Sequence, residues 1–190
     1  MRAAHLDYYN LPVPPFGDPA ARLLIVGLAP GAHGANATGR PFTGDHAGIL
    51  LYRTLFDAGL ATRPTSAARG DGLSLRNCRI TNAVKCLPPA NKPTPAEIDT
   101  CNGYLAAELA ALAVPKAILA LGAIAHRGVL RALGLKLNVY PFVHGRVHRV
   151  PDGPTLVDSY HCSRYNTQTR RLTAEMFTAV VAKARALADE

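Results

Sequence analysis

The chain has 190 residues, 48% hydrophobic and 18% charged, which excludes disorder as the main state and allows one domain with a real core. No apolar run approaches the roughly 20 residues of a membrane span, and the polar start carries no signal-peptide stretch, so no membrane association is expected. Lys and Arg number 21 against 13 acids, a net charge of +8 that points to a polyanionic partner, nucleic acid first. Charge alone does not separate that from a basic protein with no such partner.

Residues 1–20 read as an extended, proline-rich arm of a single domain spanning 1–190. The run Leu23–Leu28 is short, continuous and apolar, and it ends in a Gly/Pro-rich loop, the pattern of a buried parallel strand. Leu51, Tyr52, Leu55 and Phe56 predict a helix over His46–Ala58, with Gly59 as its stop. A second strand follows at Arg79–Val84. Thr94-Pro95-Ala96-Glu97 is a capping box with proline at the first helical position, opening a helix through about Leu112. Strand Lys116–Leu121, helix Ala123–Leu133, strand Thr155–Tyr160 and helix Thr173–Ala188 complete the pattern. Strands alternating with helices give an α/β fold with a mainly parallel sheet, whose sites lie outside the carboxyl ends of the strands.

Three such ends are dense in glycine and polar chemistry. The first, from Gly27 to Asp45, carries glycines at 31, 34, 39 and 44 that let backbone approach a ligand. It matches neither a dinucleotide fingerprint nor a P-loop. Phe42 in this loop is either a stacking platform or a plug over the core edge. Asp45 is the carboxylate of this loop, and it also stands where a helix N-cap belongs. The second end holds Asn82, whose amide complements a nucleobase amide edge or bonds neighbouring backbone. The third is His161-Cys162-Ser163-Arg164-Tyr165-Asn166-Thr167-Gln168-Thr169-Arg170-Arg171. It has three arginines and no acid, which suits phosphate oxygens as well as a solvated loop.

The ordered segments GLAPGAHG…TGRPFTGD, TNAVKC and HCSRYNTQTRRLT resemble the uracil-DNA glycosylase superfamily, nearest the family-5, UDGb-type enzymes. The resemblance runs from about Pro12 to the final helix. It implies a three-layer α/β/α fold with a central, mainly parallel four-stranded sheet. It implies excision of uracil or other deaminated bases from DNA after base flipping; a monomer is expected, and the polar start of the chain points to the cytoplasm, with association with the nucleoid. Under it, Gly31 and Ala32 approach the flipped base, Phe42 stacks on it and Asn82 reads its amide edge. Enzymes of this type often have a small residue at the Asn82 position, so Asn82 suggests better uracil selection. Asp45 and His161 are the implied catalytic residues. His161 lies beside the base O2, and Asp45 takes over a role that Leu28-Ala29-Pro30 cannot fill. Ser163, Arg164, Asn166, Arg170 and Arg171 are the implied DNA-binding residues.

The resemblance also implies Cys86 and Cys101 as two ligands of a [4Fe–4S] cluster. The family's other two ligands form a Cx2C pair upstream of the proline-rich arm, which this sequence does not contain. Cys78 is a poor substitute, since eight extended residues put it roughly 26 Å from Cys86. Cys162 adjoins His161. Four thiolates are the usual requirement, so a shortened N-terminus, a lost cluster or ligands from elsewhere all stay open. Two rival functions stand beside the glycosylase: a nucleic-acid-binding domain of the same fold without turnover, and a small-molecule nucleoside hydrolase.

Overall fold

The computed structural model describes residues 5–112 and 115–190. The leaderless reading of residues 1–4 lies outside the described residues. The elements are β1 (Phe16–Gly17), β2 (Leu23–Gly27), α1 (Ala35–Thr38), α2 (His46–Asp57), β3 (Cys78–Asn82), α3 (Pro95–Ala111), β4 (Ala117–Leu121), α4 (Ala123–Ala132), β5 (Val147–His148), β6 (Thr155–Ser159), α5 (Arg164–Gln168) and α6 (Ala174–Asp189). The sheet order is β1-β3-β2-β4-β6-β5. The four expected strands form its parallel centre, with Gly27 opposite Asn82 and Leu121 opposite Ser159. Two short antiparallel strands, β1 and β5, extend it to six.

Both faces of the sheet are covered, as continuous apolar strands require. Leu23 and Ile25 point to one face, with Leu119 and Val157, against Leu51, Tyr52 and Leu55 of α2 and Phe177 and Val181 of α6. Leu24 and Val26 point to the other, with Ile118 and Leu156, against Leu105 and Leu109 of α3 and Val129 and Leu130 of α4. Side chains such as Leu23, Ile25 and Ile118 are wholly buried, worth about 1.5–3 kcal/mol each against exposure.

Helix ends follow their local chemistry. Thr94 accepts from the Glu97 N–H, and the Glu97 carboxylate accepts from the Thr94 N–H at 2.7 Å. Thr173 caps α6 through the Met176 N–H. The arm does more than extend. Phe16–Gly17 pairs with β3, and the Val13 N–H donates to the Lys85 carbonyl at 2.8 Å. Tyr8 hydrogen-bonds His33 at 2.8 Å and so lies over the first strand-end loop.

Candidate active site

The ends of β2, β3 and β6 bring Phe42, Asp45, Asn82 and His161 into one neighbourhood. Phe42 is buried and packs over Gly27 and Asn82. A methyl group at Gly27 would stand 2.4 Å from Asn82 Oδ1 and 2.5 Å from the Phe42 ring, so only glycine lets these two meet. Phe42 holds a φ of 55°, a left-handed conformation costing a non-glycine residue about 1 kcal/mol or more. Its neighbours fix it there. Tyr52 donates to the Pro41 carbonyl at 2.7 Å, and the Thr43 and Ser66 hydroxyls lie 2.7 Å apart. Buried Arg40 pairs with Asp71 at 2.8 Å and lies over the Phe16 ring. The stretch from Ser66 to Asp71 is therefore a strut for Phe42. Sequence reading missed it because its partners lie 23 to 31 residues away.

The Phe42 and His161 rings face each other with centroids 5.9 Å apart and planes 28° apart. Burial depresses the His161 pKa to about 4, so the imidazole is neutral at neutral pH. Asn166 donates to the His161 carbonyl at 2.8 Å, and Ser163 caps α5 through the Asn166 N–H. Asn166 and Ser163 thus shape the His161 loop from within. Arg164 and Arg170 are exposed, and Arg164 lines a cleft of about 460 Å³ with Phe42, Asp45 and His46. Arg171 lies over the Tyr160 ring at 4.6 Å. Pocket walls on the other side of His161 include Phe142, Tyr160 and Arg171.

Asp45 divides its oxygens. Oδ1 accepts from the Gly48 N–H at 3.0 Å and caps α2. Oδ2 faces the first loop, 2.7 Å from where a Cβ on Gly34 would stand. Burial raises the Asp45 pKa, against the opposing hydrogen bonds from Gly48 and Ala47 and the nearby His46. Gly31 and Ala32 are half-buried, and among the described residues their N–H groups donate to no protein acceptor. Asn82 is 3% exposed, and its Oδ1 is a buried side-chain oxygen with no hydrogen-bond partner among the described residues. Buried polar atoms are almost always paired, so this oxygen is an acceptor left for something the protein does not supply.

Cys86 is exposed and Cys101 half-buried, and burial together with the neighbouring Cys101 raises the Cys86 pKa. The fold thus brings these two thiols close. Cys78 and Cys162 lie wholly in the core, where burial pushes the Cys162 thiol up to about 12. Among the described residues, no third cysteine, histidine or carboxylate gathers with Cys86 and Cys101, whereas a four-thiolate cluster needs four ligands. His126, His148 and Asp158 form a separate buried cluster, with Asp158 bonded to both rings at 2.7 and 2.9 Å.

The family model described as the uracil DNA glycosylase superfamily matches residues 14–185. The type-5 uracil-DNA glycosylase of Thermus thermophilus is 50% identical over 181 residues, covering 95% of this chain and 82% of that protein. The type-5 enzyme of Pyrobaculum aerophilum is 46% identical over 180 residues, covering 95% of this chain and 78% of the relative. A type-4 uracil-DNA glycosylase of Archaeoglobus fulgidus is 34% identical over 139 residues, 73% of this chain and 62% of the relative. This chain belongs to the uracil DNA glycosylase superfamily.

Proposed function

We propose that the chain is a monofunctional DNA glycosylase that hydrolyses the N-glycosidic bond of uracil, and of other deaminated bases, and leaves an abasic site. The observation that carries this reading is the unpartnered, buried Asn82 Oδ1 beside Phe42 and His161. A base inside a duplex cannot reach this group, so the nucleotide is extruded into it. Uracil then lies against Phe42. Its N3–H donates to Asn82 Oδ1, and its O4 accepts from the Asn82 amide N–H. The Gly31 and Ala32 N–H groups approach the same base.

Bond cleavage leaves negative charge on the uracil ring and positive charge on the sugar. Neutral His161 donates a hydrogen bond to O2, which strengthens as the anion forms. The Asp45 carboxylate faces the opposite charge, stabilises it and orients the attacking water. Arg164, Arg170 and Arg171 bind phosphates beside the lesion. Ser163 and Asn166 hold the loop that presents His161 and these arginines. Hydrolysis changes no oxidation state, and none of these steps draws on Cys86 or Cys101, which stand apart as half of a sulfur ligand set.

Single-turnover incubation with a uracil-containing duplex and its uracil-free twin tests the proposal. Abasic product from the first alone is the expected result. Tight binding to both without product would make the chain a nucleic-acid-binding domain. Release of uracil from deoxyuridine but not from DNA would make it a nucleoside hydrolase.

A further inference from the structure

Three residues beyond Asn82, a lysine folds back into the protein. Lys85 is 5% exposed, and its Nζ donates to Thr81 Oγ1, to the Asn82 carbonyl and to Glu108 Oε2, each at 2.7 Å. An ammonium group has three N–H donors, and all three are used. Arginine could not repeat this, because its planar fork does not converge on three oxygens around one point. Burial lowers the Lys85 pKa, and the Glu108 carboxylate works against that shift. Glu108 sits on α3, seven residues after Cys101 and so on the same helix face. The ion pair therefore pins the end of β3 to α3.

That end of β3 is where Asn82 is aimed. Ala83 and Val84 continue the ladder by donating to the Gly27 and Leu28 carbonyls, both at 2.9 Å. The Asn82 carbonyl takes its hydrogen bond from Lys85. Gly27 and Phe42 crowd the Asn82 side chain, so its direction depends on how its own backbone is held.

We infer that Lys85 and Glu108 are positioning residues for uracil recognition, fixing the backbone of Asn82 so that its free Oδ1 meets the base. The inference rests on Asn82 reading the base. Neither residue touches the substrate, and their effect passes through Asn82 alone.

A double-mutant cycle on single-turnover uracil excision tests this, with thermal melting measured in parallel. Lys85→Met is expected to slow excision about 10²-fold, the scale of a misplaced recognition group. In an Asn82→Ala background the same change should alter the rate less than about threefold, since the residue it positions is gone. Lys85→Met alone strands the Glu108 charge, so Lys85→Met/Glu108→Leu is the second variant. Replacing both partners of a buried ion pair by apolar groups often leaves stability unchanged. Loss of uracil excision in this folded double variant supports the inference. Parental excision by it overturns the inference while leaving Asn82 as reader. So do losses from Lys85→Met and Asn82→Ala that simply multiply. Parental excision by Asn82→Ala overturns the base-reading role itself, and the inference with it.

Discussion

Asp45 caps α2 with one oxygen and turns the other toward the first loop, and substitution can separate the two. Asp45→Asn keeps the acceptor that caps α2, because asparagine caps about as well as aspartate. It removes the charge facing the first loop. Single-turnover excision should fall by roughly 10² or more, with the melting temperature nearly unchanged. Asp45→Ala should also lose about 1 kcal/mol of stability as the cap disappears. The pH profile follows from the directions of the two shifts. Burial raises the Asp45 pKa, so the ionised form that excision needs is lost on acidification sooner than for an ordinary aspartate. Burial lowers His161 to about 4, so its protonation should add no step to the profile between about pH 5 and 8. An acid limb that sets in at a higher pH than an ordinary aspartate would give, present in the parent and absent from the residual rate of Asp45→Asn, is the expected result of a stopped-time assay over an acidic pH series. At this scale the sequence displayed the residues that the fold gathers: Asn82 at the end of β3, His161 after β6, and Phe42 and Asp45 in the loop after β2. It did not display Lys85 or Glu108. A lysine and a glutamate 23 residues apart read as two solvated charges until α3 folds back on β3.

The elements that could be read from sequence are those with internal periodicity or caps. A continuous apolar run marked β2, alternation with helical stretches marked β3, β4 and β6, and Thr94-Pro95-Ala96-Glu97 marked the start of α3. The two-residue strands β1 and β5 have no period to read, because pairing across the sheet creates them. Helix α5 is five residues long and was hidden in a loop whose arginines were visible. If Arg164, Arg170 and Arg171 neutralise phosphates, each substitution by Gln should reduce the slope of log affinity against log salt by about one unit. Fluorescence anisotropy over a salt series measures that slope, and a triple variant with the parental slope would remove the 163–171 segment from the DNA interface. The strut from Ser66 to Asp71 makes a different demand. Burial acts to raise the Asp71 pKa, but the Arg40 guanidinium and the Leu73, Ala67 and Ala68 N–H groups hold it well below the usual carboxylate range. A depressed folded value means that this carboxylate stabilises the fold above the unfolded pKa of about 4 and loses that effect as pH falls further. Asp71→Asn should therefore lower the melting temperature at pH 7, and the difference from the parent should shrink in acid.

Across the whole molecule, sheet order decides which strand ends meet. The same strands and helices allow several orders, and only long-range packing selects β3-β2-β4-β6 as the parallel centre. That order places the ends of β2 and β3 side by side, with Gly27 opposite Asn82, while β6 delivers His161 from beyond β4. The site is consequently only as rigid as the sheet between them, and one buried polar cluster closes the sheet's β6 side. Asp158 on β6 is wholly buried and bonds the His126 ring of α4 and the His148 ring of β5. Its Oδ2 also accepts from the Val143 N–H, and the other His126 nitrogen meets the Tyr140 carbonyl at 2.8 Å. One carboxylate thus ties α4, β5 and the segment between them to the sheet. Asp158→Leu removes the shared acceptor, strands two imidazoles in the core and frees the Val143 amide. Breaking such a buried network from one side costs about 3–5 kcal/mol. At about 2–4 °C per kcal/mol for a domain of this size, the melting temperature should fall by roughly 6–20 °C. Of the groups proposed for catalysis, Asp45 and Asn82 belong to the β2 and β3 ends, away from β6, whereas His161 stands three residues after Asp158. Because Asn166 and Ser163 hold the His161 loop from within, single-turnover excision well below the melting transition should stay within about threefold of the parent. Loss of activity without loss of stability would mean that the cluster shapes the His161 loop directly, through Ser159 and Tyr160, the two residues between Asp158 and His161.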